Sequence, residues 1–170
     1  EMLEEIVNAY DWDFAQIQLN YYDWDMQNAK REYEILEEHG LPVVVMEPVR
    51  GGALHTLCPE GVEMLKKADT NATPASWALR FAASLPNVLV VLSGMTTMEH
   101  MKDNVATVDD FKPLTESERE LLFKVADVYK QSKTVPCTGC RYCMDCPAGV
   151  DIPAVFKIYN QYCVTENKAQ

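Results

Sequence analysis

Apolar positions recur along this chain in two rhythms. Leu3, Ile6, Val7 and Tyr10 are spaced as one face of a helix, whereas Phe14 to Leu19 alternates apolar and polar side chains as a short strand does. A polar, aromatic loop is expected over 20–25. A helix is expected over 27–39, with Ala29, Tyr33 and Leu36 on one face. Gly40 then takes the left-handed position that ends a helix at no steric cost. Val43–Met46 and Val88–Leu92 are unbroken, mostly β-branched runs, which predicts strands buried on both faces. Between them lie a predicted helix over 59–68 and a second opened by Thr73 as N-cap and Pro74 at the first helical position. That second helix carries Trp77, Phe81 and Leu85 on one side.

Beyond residue 95 the strand rhythm stops. Thr96-x-x-Glu99 and Thr115-x-x-Glu118 have the form of capping boxes. The first would open a helix burying Met98, Met101 and Val105, the second a helix burying Leu121, Leu122, Val125 and Val128. A last helix is expected after Pro153, with Val155, Ile158, Tyr159 and Tyr162 turned inward. Strands alternating with helices over short connections imply a parallel α/β sheet. Three strands are too few to close one, and parallel strands need both edges covered. The rest of the sheet is therefore expected upstream or from a second chain. The opening at Glu1, with neither Met nor a capping residue, is read as the start of a piece of a longer protein.

Composition narrows the function classes. The net charge is −11, which argues against nucleic acid or an anionic membrane surface as the main partner. No apolar run reaches the roughly 20 residues of a membrane span. His39, His55 and His100 are isolated in sequence and carry no catalytic assignment; His39 reads as a helix C-terminal charge.

Four of the six cysteines lie within ten residues, as Cys137-x-x-Cys140-x-x-Cys143-x-x-Cys146-Pro147. Thiolates at three-residue intervals on a tight loop can reach the irons of one [4Fe–4S] cluster, and a closing Cys-Pro commonly accompanies such a run. Gly139 and Gly149 leave room for backbone N–H groups near sulfur. The last interval is one residue shorter than in the common bacterial run. Cys146 therefore serves either this cluster in strained geometry or another whose remaining ligands are elsewhere, and Cys163 is a second candidate for the fourth position. Cys58 reads as a small buried apolar residue. Zinc held by the same thiolates, or disulfides, are the competing readings. Free thiols and iron–sulfur chemistry would place the protein in the cytoplasm. The periodic part ends near Ser132, which divides the chain into 1–132 and a cysteine segment, 133–170.

The runs Phe14-Ala15-Gln16-Ile17-Gln18-Leu19-Asn20-Tyr21, Gly40-Leu41-Pro42-Val43-Val44-Val45-Met46-Glu47-Pro48-Val49-Arg50-Gly51-Gly52, Trp77-Ala78-Leu79-Arg80-Phe81 and Val91-Leu92-Ser93-Gly94 with Asn104 resemble the aldo/keto reductase family. The cysteine segment is similar to that of the branch carrying a C-terminal ferredoxin-like 4Fe–4S extension. The resemblance implies the C-terminal part of a (β/α)8 TIM barrel with an iron–sulfur-type helical tail. It also implies a nicotinamide-dependent oxidoreductase acting on a small carbonyl or alcohol, with the cluster relaying electrons to a possible electron-transfer partner. The family's Asp, Tyr, Lys and His belong to the earlier strands, so no catalytic residue is assigned here, and this chain alone is expected to be inactive.

By the same resemblance, NAD(P)H would contact Gln16, at the nicotinamide carboxamide; Arg50, Gly51 and Gly52, at the pyrophosphate; and Ser93, Gly94, Met95 and Asn104, at the adenosine end. Gln16 equally reads as a polar barrel-interior residue, and the Gly-Gly as an ordinary turn. Two positions depart from the family. Glu47 stands where an aromatic stacks on the nicotinamide. Gly94 and His100 replace the basic residues that read a 2′-phosphate, leaving Lys102 nearby, so the choice between NADH, NADPH and flavin stays open. A non-catalytic electron-transfer or docking module on a barrel scaffold, and a structural zinc site, remain the alternatives.

Overall fold

Loop-closure rules require a crossover between adjacent parallel strands, and the helical periods between the apolar runs supply it. The computed structural model describes residues 2–132, 134–137 and 139–165. Three strands, β1 (Ala15–Gln18), β2 (Val43–Met46) and β3 (Val88–Val91), form one parallel sheet in the order β1-β2-β3. Ile17 lies beside Val45 and Gln16 beside Val44, so the alternating residues of β1 and β2 share faces. The helices are α1 (Met2–Ala9), α2 (Asp23–Met26), α3 (Ala29–Glu38), α4 (Pro59–Ala68), α5 (Pro74–Ala83), α6 (Met98–Asp109), α7 (Glu116–Lys130) and α8 (Ile152–Thr165).

Local chemistry explains the boundaries. Gly40 sits at φ 63°, with its N–H bonded to Glu37 O and the Leu41 N–H bonded to Leu36 O. These are the paired contacts of a Schellman ending. Thr73 Oγ1 accepts the Ser76 N–H at 3.0 Å and starts α5. At α7 the capping box is complete: Glu118 N–H donates to Thr115 Oγ1, and Thr115 N–H donates to Glu118 Oε2. One face of the sheet, with Ile17, Val43 and Val45, packs into a core with Leu36, Trp77, Phe81, Leu122 and Val125. Cys58 belongs to this core. Gly61 lets α4 approach α7, since a Cβ there would lie 3.4 Å from Val125 Cγ1 and 3.5 Å from Cys58 Sγ.

Several expectations are corrected. The loop over 20–25 contains the short helix α2. The cap of α6 is Thr97, whose hydroxyl accepts the His100 N–H at 3.2 Å, and not Thr96. The last helix begins at Ile152, before Pro153, with Asp151 Oδ1 accepting the Ala154 N–H.

The two runs expected to be buried on both faces are half-open. Met46 is exposed in β2, and Leu89 and Val90 are exposed in β3, Leu89 by 65%. The faces expected inward on α6 (Met98, Met101, Val105) and on α8 (Val155, Ile158, Tyr159, Tyr162) are exposed, as are Ile6 of α1 and Tyr10 just after it. For β3 the cause is topological: it pairs only with β2, so apolar groups along its free edge meet no further strand among the described residues. No helix among the described residues is long and apolar enough to cross a membrane. Lys133, at the expected boundary, lies outside the described residues, as do Thr138 and residues 166–170.

Phe81 is 1% exposed and meets Tyr21, Trp24 and Phe123 edge-on, with ring centroids 5.5–6.2 Å apart. Phe81→Ala should therefore cost about 3–5 kcal/mol of stability through lost burial and a cavity. Urea unfolding monitored by circular dichroism measures it.

Candidate functional site

In parallel α/β folds the loops after the strands converge at the strands' C-terminal ends, where substrates and cofactors are met. Here three such loops meet. The loop after β1 carries Asn20 and Asp23, the loop after β2 runs from Glu47 to His55, and the loop after β3 carries Ser93 and Gly94 into α6.

The loop after β2 has an unusual backbone. Glu47 and Arg50 have φ of 56° and 53°, and Gly51 and Gly52 have φ of 58° and 86°. Glycine takes this region freely, whereas a side-chain-bearing residue costs about 1–2 kcal/mol there. The two non-glycine positions are held by one buried cluster. Asp23 is fully buried and accepts from Arg50 Nε (3.0 and 3.1 Å), Asn20 Nδ2 (2.8 Å) and Gln18 Nε2 (2.9 Å). Asn20 Nδ2 also donates to Glu47 O at 3.0 Å, while Asn20 Oδ1 accepts the N–H groups of Tyr22 and Asp23. The Arg50 guanidinium lies 4.6 Å from the centre of the Tyr22 ring, a cation–π contact, and its Nη2 is buried without a hydrogen-bond partner. Burial pushes the Tyr129 phenol up, with Arg50 pulling the other way.

A cleft of about 520 Å³ opens between the loop after β2 and the start of α6. Of the residues singled out from sequence, Gly51, Gly52, Ser93, Gly94 and Asn104 line it together, with Glu47 beside them. Asn104 Nδ2 donates to Ser93 Oγ at 2.8 Å, which ties α6 to the loop after β3. Gly52 has no atom within 4 Å of a Cβ added to it, so the backbone there presents open surface to a ligand. Met95 borders a neighbouring groove that shares Ser93 and Asn104.

Two sequence-derived candidates are not on the cleft wall. The Arg50 side chain is turned into the protein toward Asp23. Gln16 lies within β1, with its Nε2 3.3 Å from Met46 Sδ.

Sequence reasoning missed Asn20, Asp23 and His55. Asn20-x-x-Asp23 directly after a strand is a legible signal for a self-bonded turn. That it would meet Arg50, twenty-seven positions beyond Asp23, is not legible. His55 and His100 approach edge-to-face at 5.9 Å across the cleft mouth, although their sequence positions are far apart.

The cysteine segment presents a different picture. Gly139, Arg141 and Gly149 have positive φ, which folds the run into tight turns. Hydrogen bonds from the backbone N–H groups of Val150, Ala148 and Gly149 hold the Cys146 thiol below its usual range. Cys140 and Cys143 are exposed, whereas Cys137 and Cys146 are half-buried. Asn160 of α8 bonds both the N–H and the C=O of Val135 at 2.7 Å, anchoring the stretch just before Cys137. Among the described residues, no three His, Cys, Asp or Glu side chains are gathered as a metal shell. The donor set matches a thiolate-bound metal in kind, and the described loop does not converge it.

Arg50→Met should cost about 3–5 kcal/mol, because it leaves the Asp23 carboxylate buried without its cation. Chemical unfolding of the variant beside the parent protein reads the difference.

The aldo/keto reductase family matches residues 1–127. Among solved structures, the chain is similar to the aldo-keto reductase AKR11C1 from Bacillus halodurans in its holo form, with 25% identity over 73% of this chain and a TM-score of 0.57. The apo form of that enzyme gives the same identity, coverage of this chain and TM-score. A thermostable aldo-keto reductase, Tm1743, solved with the inhibitor epalrestat, is similar in fold, at 23% identity over 65% of this chain and a TM-score of 0.51. This chain spans 46%, 47% and 38% of those three chains, respectively. No curated protein matches. With the family matching three-quarters of its length, and a parallel sheet whose C-terminal loops form a glycine-lined cleft, the chain belongs to the aldo/keto reductase family.

Proposed function

We propose that residues 1–132 are the cofactor side of an aldo/keto reductase-type oxidoreductase barrel, and that residues 133–170 form an iron–sulfur segment attached to it. The observation that carries the first part is the cleft itself. Five residues assigned by resemblance to the pyrophosphate and adenosine ends of NAD(P)H, drawn from two loops and a helix, line one cavity. Small residues let phosphate approach backbone N–H groups, and the Ser93 and Asn104 side chains supply polar contacts beyond them. The bound nicotinamide would supply hydride. This chain's share is to bind and orient the dinucleotide, while the general acid that protonates a small carbonyl substrate comes from the remainder of the barrel. Gln16 belongs to the nicotinamide end in this reading, and Arg50 acts from within the loop and not as a cleft-wall contact.

The exposed apolar residues of β3 and α6 support the expectation that further strands, from the same protein or a second chain, cover this edge. The spacing of Cys137, Cys140, Cys143 and Cys146 supports a [4Fe–4S] site, as do the positive-φ turns between them and the backbone N–H bonds to Cys146. Such a cluster would supply one-electron transfer to a partner, which suits a reducing compartment such as the cytoplasm.

Titrating NADPH and NADH into the intact protein should give saturable quenching of protein fluorescence, and absence of binding by either would refute the cofactor reading. Asn104→Ala should weaken binding about five- to tenfold, the loss of roughly one hydrogen-bonding group. Metal and sulfide analysis after anaerobic purification should give iron with matching acid-labile sulfide, lost in Cys140→Ser. Stoichiometric zinc in a colourless protein would instead assign the cysteines a structural role.

A further inference from the structure

Beyond its own turn hydrogen bonds, the cleft loop is anchored from outside the cleft. Its two non-glycine residues of positive φ, Glu47 and Arg50, are the two that the buried cluster grips: Asn20 takes the Glu47 carbonyl, and Asp23 takes the Arg50 guanidinium. Between and after these grips lie Val49, Gly51 and Gly52, whose backbone forms the cleft wall. Turn hydrogen bonds close the loop locally, from the Arg50 N–H to Glu47 O and from the Gly52 N–H to Val49 O, but the cost of its positive-φ side-chain-bearing residues is borne only while the surroundings hold them. Here the fixing groups are fully buried at Asp23 and Asn20 and nearly so at Arg50. None of these three lines the cleft.

We propose that Asn20, Asp23 and Arg50 are positioning residues that pre-form the loop over 47–52 for its ligand. The Asp23–Arg50 ion pair is thus retained for the shape of the binding loop and not for stability. The inference rests on the cofactor reading for the identity of the ligand, a nicotinamide dinucleotide, and on geometry alone for the holding of the loop. A loop already in its bound conformation pays no ordering cost on binding. A buried ion pair replaced as a unit by apolar residues of similar size commonly leaves a protein as stable as before. Those two facts separate a positioning role from a structural one.

The test is the double variant Asp23→Leu with Arg50→Met in the intact protein, in which Asn20 keeps the Glu47 carbonyl as its partner. It should melt close to the parent protein yet bind NADPH at least tenfold more weakly. Amide hydrogen exchange reads the loop with no cofactor present. Exchange at Arg50–His55 should rise at least tenfold while the amides of β1 and β2 keep their protection. If the double variant does not fold, Asp23→Asn, which preserves shape and removes the charge, is measured the same way. Parent-like NADPH affinity together with parent-like exchange over 50–55 would overturn the proposal. A parent protein that binds no dinucleotide would overturn the cofactor reading instead, with the exchange experiment still deciding whether the pair holds the loop.

Discussion

A carboxylate with no exposed surface, Asp23, meets the guanidinium of Arg50 at 3.0 Å beneath the C-terminal end of the sheet. An isolated charge in that position would be too costly to keep, so each requires the other. The requirement is structural in its consequences: Asp23 starts the helix that follows β1, and Arg50 sits in the middle of the loop that follows β2. Joining them fixes the spacing of two connections that the sheet itself leaves free. The cleft depends on that spacing, because one of its walls is the backbone of Gly51 and Gly52.

The sheet contributes in a simpler way. Its three strands run parallel, so all their following loops emerge at one end. The helix-facing side of the sheet is a packed core in which Val43 and Val45 lie without exposure. The rest of the sheet is less covered. Gln16, Gln18, Val44 and Met46 share the opposite face, and polar groups there make sense as the lining of a barrel interior more than as one face of an open sheet. The exposed Leu89 and Val90 of β3, with Met98 and Val105 on α6, are apolar surface of a kind that folded domains cover.

The cysteine segment is braced internally, with Asn160 bracketing the backbone of Val135, and it meets the core of the barrel portion through Val164. Between Val135 and Asn160 the cysteine run turns tightly through residues of positive φ, with one sulfur already ringed by amide donors. The turns that carry the cysteines are therefore set by local sequence. The cleft is the reverse, being assembled from segments more than forty positions apart, such as Gly52 and Asn104.

That contrast marks the limit of what residue order alone fixes here. Periodicity located all three strands and most helices, because burial of one face imposes a spacing of two or about 3.6 on the apolar positions. Thr73, Thr115 and Gly40 announced their helix ends, because a cap is a contact between residues three to five apart. Where the outcome hung on a choice between adjacent hydroxyls, Thr97 displaced Thr96, a matter of backbone direction that composition does not encode. The unbroken apolar runs located the strands, but the burial expected on both their faces does not hold: Met46 is open in β2 and no residue of β3 is buried, because β3 pairs on one edge only. The tertiary structure alone decided that Arg50 turns inward to Asp23 and that His55 comes to face His100. Each needs two distant loops brought to the same end of the sheet, and such meetings follow from three-dimensional packing, not from any local spacing.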